Sequence, residues 1–128
     1  MDPLPPPLHL HPVILAGFGG AIGSALRAAV GLWLPFPWGT LAVNLVGSFA
    51  IGVLAVPLLL AERGPHPIAP LLITGVLGGF TTFSAFSLDT LRLIEAGRAG
   101  AALLYVGASV VLSLGAGALG LALARGAL

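Results

Sequence analysis

From Gly39 to Ala61 the chain runs 23 residues without a charged side chain, and from Ala99 to Ala124 it runs another 26. A helix needs about 20 apolar residues to cross the hydrocarbon core of a bilayer, so each stretch is long enough to span one. Two further stretches behave alike: Val13 to Leu34 is interrupted only by Arg27, and Ile68 to Leu88 carries no charge. Between them lie Pro35-Phe36-Pro37, the turn Glu62-Arg63-Gly64-Pro65-His66-Pro67, and a segment holding Asp89, Arg92, Glu95, Gly97 and Arg98. These punctuating residues end helices or sit in water. The spacing predicts four spans, about residues 13–34, 39–61, 68–88 and 99–124, with both termini on one side.

Composition agrees. Only 7% of the 128 residues are charged, against roughly a quarter in a soluble domain, and 58% are hydrophobic; the mean hydropathy is +1.11. Four spans use up the length, which leaves no room for an extramembrane domain. A net charge of +1 with no basic cluster gives no footprint for nucleic acid. With no cysteine there is no disulfide, thiolate metal site or redox couple. The opening Met1-Asp2-Pro3-Leu4-Pro5-Pro6-Pro7 lacks the basic start of a signal peptide, and residues 1–11 read as an extended Pro-rich tail before a single domain over 12–128.

Backbone groups cannot stay open in lipid, so the spans are expected to be helical, an all-α integral membrane fold. The last, 26 residues or about 39 Å of helix, should tilt or protrude. Pro57 is placed to kink the second span near its end. Arg63 and Arg125 fall on the side of the termini, Arg92, Arg98 and Arg27 on or near the other. This near-balance removes the usual basis for a fixed orientation and predicts dual topology. Small residues recur at Gly19 and Gly23, Gly75 and Gly79, and Ala116, Gly120 and Ala124. Such rows let helices approach closely, within one chain or between two.

Reactive groups are scarce. His9, His11 and His66 lie in Pro-rich segments and read as solvated rather than as metal ligands. Asp2, Glu62, Asp89 and Glu95 all read as span edges, so no span is expected to hold the ionisable group that proton-coupled transporters keep inside the membrane. Neutral polar residues gather instead in span three, where Thr74, Thr81, Thr82, Ser84 and Ser87 sit among Gly75, Gly78 and Gly79. Gly78-Gly79 is a poor helix interior and Thr81-Thr82 brings competing hydroxyls, so Gly78-Gly79-Phe80-Thr81-Thr82 is predicted to interrupt the helix. Irregular backbone at that depth must be buried or line a cavity, and its freed carbonyls could hold a cation.

Phe83 and Phe86, three apart, share a face. They could be plain packing; alternatively their positive ring edges could attract a small anion without trapping it. Tyr105, Ser109 and Ser113, at i, i+4 and i+8, form a hydroxyl stripe on span four. Asn44 could donate to an anion or bond two helices together, and Arg27 could reach the interface or draw anions toward a vestibule.

The chain resembles the Fluc (CrcB-type) fluoride channels of microbes. The resemblance rests on Gly19-Gly20-Ala21 through Arg27, on Gly39-Thr40-Leu41-Ala42-Val43-Asn44-Leu45-Val46-Gly47-Ser48-Phe49, and above all on Gly78-Gly79-Phe80-Thr81-Thr82-Phe83-Ser84-Ala85-Phe86-Ser87. It departs from the family pattern at Ala28, Ala85 and Asp89, where Tyr, Thr and Glu are usual. The resemblance implies an antiparallel homodimer in the lipid of the inner membrane, passively exporting toxic fluoride through two pores. It implies a structural Na+ as cofactor on the backbone carbonyls of Gly78 and Thr81. It likewise implies Asn44, Phe83, Phe86, Ser84, Tyr105, Ser109 and Ser113 along the fluoride pore, with Arg27 at the vestibule; no enzyme activity is expected. The runner-up, a small multidrug transporter, would need a carboxylate in span one, which holds only Arg27. A structural or assembly role is a third reading.

Overall fold

The computed structural model describes residues 10–127. Nearly all of this is helix: α1 (Leu10–Trp33), α2 (Trp38–Leu58), a π-helix (Pro70–Leu77) running directly into the short α3 (Gly78–Phe80), then α4 (Phe83–Glu95) and α5 (Ala99–Ala127). Four segments are long and apolar enough to cross a membrane: His11–Trp33, Trp38–Leu58, Pro70–Glu95 and Ala99–Gly126. The chain is a multi-pass membrane protein. Of the tail expected over residues 1–11, residues up to His9 lie outside the described ones, while Leu10 and His11 already belong to α1.

The second and third spans differ most from those read off the sequence. The second span stops at Leu58 rather than Ala61, one residue after Pro57. The amides of Leu59 and Leu60 both fold back on the carbonyl of Ala55. The third span opens as a π-helix rather than an α-helix, a wider winding that concentrates at functional sites. It also continues past Leu88 to Glu95, so Asp89 lies within the span and not at its edge. Gly97, at a φ of +75°, makes the left-handed turn into α5.

Packing divides the helices into two sets. The π-helix and α3 lie along α1, while α2 and α4 pack on α5. Glycine sets the spacing in both contacts. A Cβ on Gly75 would fall 2.7 Å from the Cα of Gly19, and one on Gly79 would fall 2.6 Å from the carbonyl oxygen of Gly20. Side chains on Gly19 or Gly23 would run into the backbone of Leu71 and Val76. On the other side Gly52 abuts Gly117, and Gly120 abuts Phe49. These small-residue rows therefore join helices within the chain. The third span changes partners at its break, leaving α1 and joining α5.

Candidate functional site

The break falls on two residues, Thr81 (φ −84°, ψ 157°) and Thr82 (φ −155°, ψ 121°), both extended. Gly78 and Gly79 are helical. The interruption predicted over Gly78–Thr82 therefore falls on the threonines of that segment and not on its glycines. At Gly79, glycine permits close packing on α1, whereas the threonines supply the hydrogen bonds that end one helix and start the next. Thr81 Oγ1 donates back to the Leu77 carbonyl at 2.9 Å. Thr82 Oγ1 accepts from the amide of Ala85 at 3.1 Å, the N-cap bond of α4.

Interrupting a helix frees amides and carbonyls that need partners in a membrane. Asn44, from α2, takes both groups of Thr82: its Oδ1 accepts from the Thr82 amide at 2.7 Å, and its Nδ2 donates to the Thr82 carbonyl at 3.0 Å. Arg27, from α1, donates from Nε to the Gly79 carbonyl at 3.0 Å. Gly78 and Thr81 are different. Their carbonyls would ordinarily accept from the amides four residues on, but those of Thr82 and Ala85 are engaged by Asn44 Oδ1 and Thr82 Oγ1. Two neutral carbonyl oxygens thus stand without their helical donors, and both residues line one cavity. Such oxygens suit a hard, weakly charged cation, so the Na+ implied by the resemblance fits the residues present.

That cavity, about 470 Å³, runs between α2, the third span and α5. Asn44, Phe83, Phe86, Ser109 and Ser113 line it beside Gly78 and Thr81, and no charged side chain does. Phe83 and Phe86 lie 5.4 Å apart between ring centroids, tilted by 47°, and Phe86 lies 5.5 Å from the Tyr105 ring. The three form a short aromatic row from the break to α5. Phe83 is exposed on the surface of the single chain (79%). Ser84, also exposed, pairs its hydroxyl with that of Thr82 at 3.2 Å. The hydroxyl oxygens of Tyr105, Ser109 and Ser113 are buried and make no well-aligned hydrogen bond, although that of Tyr105 lies close to Thr40, Ser109 and Asp89. A buried hydroxyl without a partner is costly, and these three share one face of α5.

At one end of this row lies a group that the sequence reading had placed elsewhere. Asp89 is buried and accepts from Thr40 Oγ1 at 2.6 Å, with Arg92 at 4.0 Å. A carboxylate can stay inside a span when hydrogen-bonded in this way. Charge spacing along one strand of sequence marks it as a boundary because the partner that retains it comes from another helix. Thr40 and the cavity-lining Ser48 were likewise missed. Their signal was present: Thr40, Asn44 and Ser48 repeat the i, i+4, i+8 spacing seen on α5.

A second cavity, about 480 Å³, is lined by His11 and His66 with Pro12, Pro65 and Thr74. His66 Nδ1 accepts from the Ile68 amide at 3.2 Å. Among the described residues no group of three or more His, Asp or Glu gathers to hold a metal.

Comparison with known proteins matches residues 14–121 to the family described as "CrcB-like protein, Camphor Resistance (CrcB)". The chain is 54% identical over 118 residues (88% of this chain, 94% of the relative) to a fluoride-specific ion channel FluC of Rhizobium johnstonii. It is 51% identical over 123 residues (91% and 98%) to that of Rhizobium meliloti. With that of Paracoccus denitrificans it shares 53% over 121 residues (91% and 96%). These relatives are ion channels and not enzymes. With the match spanning the break, all but the ends of the outer helices and the turns that join the spans, the chain belongs to the CrcB-like family.

Proposed function

We propose that this protein is a fluoride-selective channel that lets the anion leave the cell passively. The observation that carries the reading is the face of buried hydroxyls at Tyr105, Ser109 and Ser113, of which Ser109 and Ser113 line a cavity with Phe83 and Phe86 and with no charged side chain. Fluoride is a small, strong hydrogen-bond acceptor. Hydroxyl donors and positive ring edges replace part of its water without the tight hold of a fixed cation, which is the condition for fast release. Asn44 has one amide hydrogen left after its bond to Thr82 and can add a donor.

The working unit in this reading is an antiparallel homodimer of dual topology in the cytoplasmic membrane, with residues 12–128 as one channel domain and two pores per dimer. The exposed Phe83 ring and the open side of the cavity support it, because a second copy would close the pore wall. A structural Na+ sits at the dimer axis on the carbonyls of Gly78 and Thr81, supported by their missing helical donors. The names of the relatives support the substrate. A drug-exchanging transporter is disfavoured because α1 holds no carboxylate.

The test is fluoride efflux from liposomes holding the purified protein, followed with a fluoride electrode. Efflux well above that of protein-free vesicles is expected, with little chloride leaving. Efflux equal to protein-free vesicles overturns the reading.

A further inference from the structure

We propose that Arg27 is a positioning residue that holds the third-span break in place through its Nε–H, and that its charge is secondary. Gly19, Gly23 and Arg27 stand at i, i+4 and i+8 on α1, one stripe facing the third span. Gly19 and Gly23 meet its backbone without side chains between, at Leu71 and Val76, so the two helices have no freedom to slide. One turn beyond Gly23 the stripe ends in Arg27, whose Nε reaches the Gly79 carbonyl at 3.0 Å.

That carbonyl sits two residues before the extended Thr81 and would have served the amide of Phe83 had the helix continued. Without Arg27 it has no donor at membrane depth, and the end of α3 would be free to unwind or to rejoin α4. Arg27 thus fixes the last turn before the break from α1, while Asn44 fixes the first residue after it from α2. The carbonyls of Gly78 and Thr81 lie on either side of these two anchors. Among the described residues Arg27 has no ion-pair partner, so the chain shows a use for its hydrogen bond and none for its charge.

Side-chain length separates the two roles. In Arg27→Gln the amide nitrogen stands at the position of Nε, keeping the donor and losing the charge. In Arg27→Lys a methylene stands there, keeping the charge and losing the donor at that point. If the bond matters, Arg27→Lys and Arg27→Ala lose fluoride efflux by about tenfold or more, as expected for a hydrogen bond to a charged group, while Arg27→Gln loses about threefold or less. Hydrogen exchange read by mass spectrometry should show faster exchange across residues 79–85 in the Lys and Ala variants than in the Gln variant. Normal efflux in Arg27→Lys with loss in Arg27→Gln overturns the proposal in favour of charge. Equal loss, or no loss, in all three variants overturns it too. The efflux readout rests on the channel reading, but the exchange readout does not. Should the wild type conduct no fluoride, the order of exchange among the variants still decides the role of Arg27.

Discussion

Asn44 and Thr82 exchange two hydrogen bonds, 2.7 Å from the Thr82 amide to Oδ1 and 3.0 Å from Nδ2 to the Thr82 carbonyl, the pairing that a residue in a neighbouring strand would make. A side-chain amide on α2 does for one extended residue what a sheet does for many. It allows a membrane helix to stop and restart without leaving a donor and an acceptor bare in a low-dielectric medium.

Replacing Asn44 with Ala removes both bonds at once. Each orphaned group costs about 1–3 kcal/mol, so the break should distort and fluoride efflux should fall by about tenfold or more. Asn44→Asp keeps the acceptor but loses the donor and places a carboxylate on the cavity wall, so it should lose efflux at least as fully as Asn44→Ala. Liposome efflux checks this, together with the temperature at which the purified protein loses its gel-filtration peak. Wild-type rates in Asn44→Ala would reduce the residue to packing.

Phe83 and Phe86 test a different property. Ile at either position keeps apolar volume and removes the ring edge. Fluoride efflux should drop sharply in Phe83→Ile and in Phe86→Ile. Phe86, packed toward Tyr105 at 5.5 Å, should show some loss of stability as well. Unchanged efflux with intact protein would refute the ring mechanism.

The proposed cation site cannot be removed by changing a side chain, because the ligands it would use are backbone carbonyls of Gly78 and Thr81. Ion replacement is the available test. A cation held at 100 times its dissociation constant adds about 2.7 kcal/mol to the folded assembly. Exchanging Na+ for a bulky organic cation should therefore lower thermal stability and efflux together, and restoring Na+ should recover both. Indifference of both to Na+ would remove the ion from the account.

The four spans were legible because charge and proline mark the ends of membrane helices with little ambiguity, and the break was legible as a region. What failed did so for one reason: the deciding partner lies on another helix. Asp89 looks like a boundary until Thr40 is seen donating to it at 2.6 Å. Gly78 and Gly79 look like helix breakers until the backbone of Gly20 is found where a Cβ on Gly79 would sit. Thr82 carried a local signal, a threonine three residues before the amide that it caps. Thr40 and Ser48 share the spacing of Asn44, and reading the stripe rather than the single residue would have included them. The π-helical winding of Pro70–Leu77 has no comparable mark in the sequence.

The two glycines give the sharpest test of what that segment is for. If glycine serves to weaken the helix, alanine at Gly78 or at Gly79 should do similar harm by stiffening it. The packing says otherwise. A Cβ at Gly78 has its nearest neighbour at 3.7 Å, ordinary contact, and alanine there gains about 1 kcal/mol of helix propensity. A Cβ at Gly79 would stand 2.6 Å from the Gly20 carbonyl oxygen and 3.1 Å from both Gly20 Cα and the Ser24 amide, all backbone of α1 that cannot rotate away. Overpacking of this kind costs about 1–3 kcal/mol or more, and here it would push apart the helices that bring Arg27 to the break. Gly78→Ala should therefore keep or raise the temperature at which the purified protein loses its gel-filtration peak, and Gly79→Ala should lower it by several degrees. Equal damage from both would mean that flexibility, not the close approach of α1, is what this pair of glycines provides.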